Sequence, residues 1–91
     1  NNITREQLVT ILYRYAQQKG YSLDSSAPAT GAVTAMKDWS SVKSYAQDAM
    51  EWAYNNGIIS GMGDGTIAPA GNATRAQVAT IIMNFNKRFA A

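Results

Sequence analysis

The chain has 91 residues, of which 46% are hydrophobic and 15% are charged, so it can form one small globular domain but not two independent cores. Eight basic residues against six acidic residues give a net charge of +2, too small an excess for a nucleic-acid-binding surface. Neither Cys nor His is present, which excludes disulfides, thiolate nucleophiles, Ser-His catalysis and the commonest transition-metal ligands, so we expect neither a metal nor a cofactor.

A sequence repeat relates the two ends of the chain. Residues 2–15 align without gaps on residues 72–85, and six of the fourteen positions are identical. Each copy contains Thr-Arg-x-Gln, a capping-box pattern in which the Thr hydroxyl and the Gln side chain each accept a hydrogen bond from the backbone of the other residue. The two copies lie 70 residues apart, which predicts one whole repeat unit and the tail of a preceding one.

The first predicted helix begins after Thr4 and ends at Gly20, where a glycine can take the left-handed conformation that closes a helix. Its apolar residues recur with the i, i+3, i+4, i+7 spacing of an amphipathic helix: Leu8, Ile11, Leu12 and Tyr15. Residues 21–35 are rich in Ser, Ala, Thr, Gly and Pro and have no apolar period. They are predicted to be a surface connection.

Two further helices are predicted in the remainder of the chain. The middle helix is expected to start at Ser40 or Ser41 and to end at residues 55–57, and its apolar stripe consists of Val42, Tyr45, Ala46, Ala49, Trp52 and Ala53. The last helix begins after Thr74 and repeats the apolar spacing of the first. Residues 57–69 between them contain four glycines, which predicts a structured loop with one or two very short strands at most. The fold class is therefore predicted to be all-α.

Four motifs between residues 36 and 77 follow one another in a specific order. They are Met36-Lys37-Asp38, the helix around Trp52, the glycine-rich loop of residues 57–69, and the helix start Ala73-Thr74-Arg75-Ala76-Gln77. In this order and spacing they resemble the S-layer homology (SLH) repeat of bacterial surface proteins. The resemblance divides the chain into the second half of a preceding repeat at residues 1–20, a connection at 21–35 and a complete repeat at 36–89. It implies an SLH-type helical repeat that forms part of a pseudo-threefold helical prism.

The function that this resemblance implies is non-catalytic anchoring at the bacterial cell surface, in an extracellular or S-layer location. Such modules bind secondary cell-wall polysaccharides, often pyruvylated, in grooves between neighbouring repeats. The expected partners are therefore wall polysaccharide and either neighbouring SLH repeats or further copies of the chain, with no nucleic acid. Membrane insertion is not expected, because no apolar run approaches the roughly 20 residues of a membrane span.

Two arginines are the first candidate ligand contacts. Arg5 and Arg75 each occupy the first position of a predicted helix, where unpaired N–H groups and the positive end of the helix dipole favour an anion. A guanidinium can also bind the carboxylate of a pyruvate ketal through two parallel hydrogen bonds. The alternative is that each arginine packs along its own helix at the surface.

The other candidate ligand contacts lie in or before the glycine-rich loop. Gly61 and Gly63 would allow backbone N–H groups to approach a sugar closely. Asp38 is predicted either to bind sugar hydroxyls or, as a turn or cap carboxylate, to hold the entry to the middle helix. Trp39 is predicted either to stack on a pyranose ring or to pack against the helices. The loop matches neither the EF-hand pattern nor the dinucleotide-binding fingerprint.

Two other functions are alternatives to wall binding. One and a half repeats leave apolar helix faces without neighbours, so the alternative function is self-association, in which copies of the chain replace the missing repeats. A wall hydrolase would use Asp48 and Glu51 as a carboxylate pair. These residues lie three apart on one predicted helix, where a solvated face is the better interpretation than two sides of a cleft.

Overall fold

The computed structural model describes residues 3–21, 23 and 33–89 of the protein. These residues form three α-helices, α1 (Arg5–Lys19), α2 (Gln47–Asn55) and α3 (Arg75–Phe89), together with three short 3-10 turns. No strand occurs among them; Thr4 and Asn72 form an isolated antiparallel bridge. The all-α class is confirmed. The loop of residues 57–69, for which at most one or two very short strands were predicted, contains no strand.

The two capping boxes form as the repeated motif predicts. Thr4 Oγ1 accepts from the Gln7 N–H at 3.2 Å, and Gln7 Oε1 accepts from the Thr4 N–H at 2.9 Å. The corresponding distances for Thr74 and Gln77 are 3.1 and 3.0 Å. Gly20 closes α1 in the left-handed conformation, with φ of 73°. Each of these two helix starts is therefore determined locally by two side chains, and the end of α1 is determined by one glycine.

The middle helix is shorter than its apolar stripe predicts. The chain forms 3-10 turns at Trp39–Ser41 and Ser44–Ala46, and α2 begins at Gln47 without a side-chain cap, so the prediction of a cap at Ser40 or Ser41 is wrong. The Lys43 N–H donates instead to the Glu6 side chain at 3.1 Å, which takes it out of any helical ladder. Tyr45, which lies on the predicted apolar stripe, is 51% exposed.

Trp52 is the centre of the core, as the sequence predicts. It is fully buried, lies edge-on to Tyr13 of α1 with ring centroids 5.4 Å apart, and stacks on Phe89 of α3 at 5.7 Å. Helix α1 packs against α2, and α3 closes the core through Phe85 and Phe89. All three helices therefore share one hydrophobic core.

Helix α1 is fixed to the rest of the fold by a buried carboxylate as well as by apolar contacts. Glu6 is 2% exposed, and its carboxylate accepts from the Lys43 N–H and, at 3.3 Å, from the Lys43 ammonium group. Val33 is also fully buried, in the 3-10 turn Val33–Ala35, so the predicted surface connection ends inside the core. Residues 22 and 24–32 of that connection lie outside the described residues.

Candidate functional site

A groove of about 350 Å³ opens between residues 58–62 and the N-terminal half of α3. Its lining combines apolar side chains with polar ones and includes no carboxylate; the residues are Arg5, Ile58, Ile59, Ser60, Gly61, Met62, Ala76, Gln77, Thr80, Ile81 and Asn84. Arg5 comes from α1 and is the one charged residue of this lining. The groove therefore depends on both ends of the chain.

Arg5 is nearly inaccessible, with 5% of its surface exposed. Its Nε donates to the Ile67 carbonyl at 2.9 Å, and its Nη2 donates to the Ser60 carbonyl at 2.7 Å. Both partners are neutral, and the salt bridge found in the described part of the chain joins Lys43 to Glu6. Among the described residues, Arg5 is thus a buried cation without a directly paired anion.

The electrostatic setting of Arg5 follows from this burial. Desolvation lowers the pKa of the Arg5 guanidinium, and the negative charge of nearby Asp38 acts in the opposite direction. The group stays protonated, because an arginine does not lose its proton in proteins. The groove therefore presents a charge that water solvates poorly, which is the condition under which an added anion gains most.

The start of α1 does not offer the unpaired N–H groups that its sequence predicts. The Arg5 N–H donates to the Gly71 carbonyl and the Glu6 N–H to the Pro69 carbonyl, both at 3.0 Å, while the Gln7 N–H is taken by the capping box. An anion at this helix start would have to displace these bonds. The expectation of unpaired N–H groups beside Arg5 is therefore wrong, and what remains at this position is the Arg5 side chain.

Asp38 holds the backbone that follows the glycine-rich loop. Its Oδ1 accepts from the Ile67 N–H and its Oδ2 from the Ala68 N–H, each at 2.9 Å. Ala68 has a φ of 51°, unusual for a residue with a side chain. Asp38 does not line the groove. Its carboxylate is engaged by backbone about 30 residues away and makes no side-chain cap at the turn Trp39–Ser41, so the prediction that it holds the entry to the middle helix is wrong.

The remaining predicted contacts separate into one residue inside the groove and three outside it. Gly61 lines the groove, and a Cβ there would lie 3.1 Å from both Met36 Cε and the Thr66 carbonyl, so the chain is tightly packed at this point. Trp39 is half-buried against the core, and Gly63 and Arg75 are exposed. Of Arg5, Asp38 and Trp39, only Arg5 lines this groove.

The turn beyond Gly61 is stabilised within itself. Thr66 donates to Asp64 Oδ1 through its N–H at 3.1 Å and through its hydroxyl at 2.6 Å. These hydrogen bonds lower the pKa of the Asp64 carboxyl, with a smaller effect from Lys37. Gly63, whose φ is 93°, lies in this exposed turn. The turn shapes the loop without contributing to the groove.

Sequence reasoning missed the polar residues of the groove. Gln77, Thr80 and Asn84 lie at i, i+3 and i+7 of α3 and therefore on one face of the helix. That spacing is visible in the sequence and could have identified them. Ser60 carries no comparable signal, because its place in the groove depends on how the loop folds.

Residues 35–79 match the family model described as "S-layer homology domain". No curated protein and no solved structure matches the chain. Among the described residues there is no helix long and apolar enough to cross a membrane. Domains of this family are non-catalytic anchoring modules of cell-surface or S-layer-associated proteins, and they bind secondary cell-wall polymers. The family that the motifs indicate is confirmed: the chain carries an S-layer homology domain.

Proposed function

We propose that the chain anchors its parent protein by binding a pyruvylated, anionic sugar of a secondary cell-wall polysaccharide in the groove between residues 58–62 and α3. The observation that carries the proposal is the state of Arg5. It is buried, it lines this groove, and its hydrogen bonds go to two backbone carbonyls rather than to an anion. A ligand carboxylate would supply a directly bonded counter-charge, in addition to the more distant charge of Asp38.

The rest of the groove fits a sugar. Gln77, Thr80 and Asn84 offer amide and hydroxyl groups along one helix face, which can bind ring hydroxyls. Met62 and Ile81 offer apolar surface against which the methyl group of a pyruvate ketal can lie. A concave, partly apolar site with a few polar groups and one charge is the usual form of a small-ligand pocket.

The predicted contacts have different roles in this proposal. Arg5 and Gly61 line the binding groove, and Asp38 positions the backbone to which Arg5 is bonded. Trp39 and Gly63 lie outside this groove and are not needed for it. Arg75 is exposed here, and we propose that it serves a second groove of the same kind only when a following repeat packs against α3.

A blocked groove tests the proposal. Thr80→Trp places a large ring at an exposed, groove-lining position, and Met83→Trp places the same ring on α3 outside the groove. We expect Thr80→Trp to lower the affinity for a methyl hexopyranoside with one pyruvate ketal at least about tenfold in isothermal titration calorimetry, since the ring excludes the ligand. Met83→Trp should match wild type. Equal affinities for the two variants, or equal wild-type binding of the sugar without its ketal, would contradict the proposal.

The exposed face of α3 favours a second role, docking of a neighbouring repeat. The aligned positions of α1 and α3 differ in burial: Leu12 is 9% exposed and its counterpart Ile82 is 40% exposed, while Arg5 is buried and Arg75 is exposed. Helix α1 is covered by α2 and the turn Ser44–Ala46. We propose that α3 receives the equivalent elements of another SLH repeat.

A second copy of this chain fits that face less well than a separate repeat does. The surface that would cover α3 is already covered by α1 in each copy, so head-to-tail association would require α1 to leave its place. We therefore expect the chain alone to sediment as a monomer at about 100 μM, above the micromolar range in which specific interfaces of moderate affinity form. A stable dimer that dissociates on Ile82→Glu substitution would favour self-association instead.

A further inference from the structure

A second groove adjoins the first along α3. It has a volume of about 310 Å³ and is lined by Asn56, Gly57, Asn84, Lys87 and Arg88. Asn84 also lines the first groove, so its side chain stands where the two meet. The two grooves are therefore neighbours that share one wall residue.

Together the two grooves follow one face of α3 and are called the trough below; at their junction Asn84 Nδ2 donates to the Ile58 carbonyl of the opposite wall at 3.3 Å. On the α3 side the trough residues Gln77, Thr80, Asn84 and Lys87 lie at i, i+3, i+7 and i+10, one face of the helix. From Gln77 to Lys87 the helix rises about 15 Å. The opposite wall is the uninterrupted segment 56–62. The trough is longer than a single pyranose ring requires.

Positive charge stands at both ends of this trough and no acidic residue lines either part. Arg5 is at one end. At the other, Lys87 has no hydrogen bond or ion pair with any residue that the structure describes, and Arg88 donates through Nε to Asn56 Oδ1 at 3.1 Å. Basic residues in a last helical turn offset the helix dipole wherever they point. Here they also border a groove that adjoins the Arg5 groove at Asn84.

We infer that the trough binds two acidic units of the same polysaccharide chain, one beside Arg5 and the other beside Lys87 and Arg88. The inference rests on the proposed function, because it takes the acidic sugar at Arg5 as its first unit. It adds a second anion subsite, and it implies that the affinity of the domain depends on the length of the bound polysaccharide. Two linked units bind in one event, so the second contact raises affinity without a second loss of translational freedom.

The test compares two ligands on three proteins by isothermal titration calorimetry. The ligands are a methyl hexopyranoside with one pyruvate ketal and an oligosaccharide of three such pyruvylated units. The proteins are wild type, Lys87→Gln/Arg88→Gln, and the control Lys19→Gln, which also removes a cation from the last turn of a helix but lies outside both grooves. Lys87→Gln alone removes one of the two cations, and its affinity for the oligosaccharide should lie between those of wild type and the double variant.

We expect the double variant to bind the oligosaccharide about tenfold more weakly than wild type, and the single sugar equally well. The control should match wild type for both ligands. Equal binding of the oligosaccharide by the double variant and the control would overturn the second subsite, as would wild-type affinity that does not depend on ligand length. If wild type binds neither ligand, the proposed function fails and the second subsite fails with it. Single-sugar binding thus separates the two failures.

Discussion

Replacement of Arg5 by methionine is expected to abolish binding of the pyruvylated sugar and to lower the free energy of unfolding by about 2 kcal/mol. The side chain donates to the carbonyls of Ser60 and Ile67 from a position that is 5% exposed. Methionine fills similar space but leaves both carbonyls without that donor in a buried setting. Relief from burying a charge offsets part of the loss, which is why we expect about 2 kcal/mol rather than more.

Arg75→Met is the matched control for this prediction. Arg75 has the same position in its capping box and the same first place in its helix, but it is exposed and lies outside the groove. Its replacement should change the free energy of unfolding by less than about 0.5 kcal/mol. Urea unfolding followed by circular dichroism gives both values. If the two variants lose the same stability, the buried hydrogen bonds of Arg5 do not stabilise the fold more than an exposed arginine does.

Binding must be separated from folding in the Arg5 variants. Arg5→Lys keeps the charge but cannot donate to two carbonyls through a fixed fork. We expect it to lose stability comparably and yet to keep part of its affinity for the pyruvylated sugar, measured where circular dichroism shows it folded. A folded Arg5→Met protein with wild-type affinity would refute the role of Arg5 as the counter-charge of the ligand. Full binding of purified wall polymer by the double variant Arg5→Ala/Arg75→Ala would refute it as well.

The features that the sequence predicted are those with local causes. The capping boxes at Thr4 and Thr74 need only two side chains three residues apart, and Gly20 needs only its own freedom at positive φ. The burial of Trp52 follows from its place on an apolar stripe. Each of these can be read in a short window, and each is present in the structure.

The features that escaped prediction depend on contacts between distant residues. Arg5 and Arg75 share one motif, yet Arg5 is buried and Arg75 is exposed, because residues 58–71 cover the start of α1 and nothing described covers the start of α3. The middle helix starts late because the Lys43 N–H donates to Glu6, 37 residues away in sequence. Ser60 reaches the groove only through the path of the loop. A repeat in the sequence therefore predicts equivalent local structure, not equivalent surroundings.

Asp38→Asn is expected to lower the free energy of unfolding by about 2–3 kcal/mol. The carboxylate accepts from two consecutive N–H groups, those of Ile67 and Ala68, with one oxygen each. An asparagine keeps one acceptor oxygen and turns an NH₂ group towards the second N–H, so one charge-assisted bond is lost and a donor is left unpaired. Asp48→Asn, an exposed position in the first turn of α2, is the control and should cost about 0.5 kcal/mol or less.

The combination of Asp38 and Arg5 variants shows whether the two residues act as one support. Ile67 donates its N–H to Asp38 and accepts from Arg5 at its carbonyl, so the two side chains hold the same residue from opposite sides. When either side chain is replaced, the backbone at Ile67 can relax, and this relaxation weakens the hydrogen bond that the remaining side chain makes with Ile67. The stability losses of Asp38→Asn and Arg5→Met should therefore fall short of additivity by about 1 kcal/mol in a double-mutant cycle. Strict additivity would mean that each contact acts alone, and that Asp38 does not position the backbone on which the Arg5 site depends.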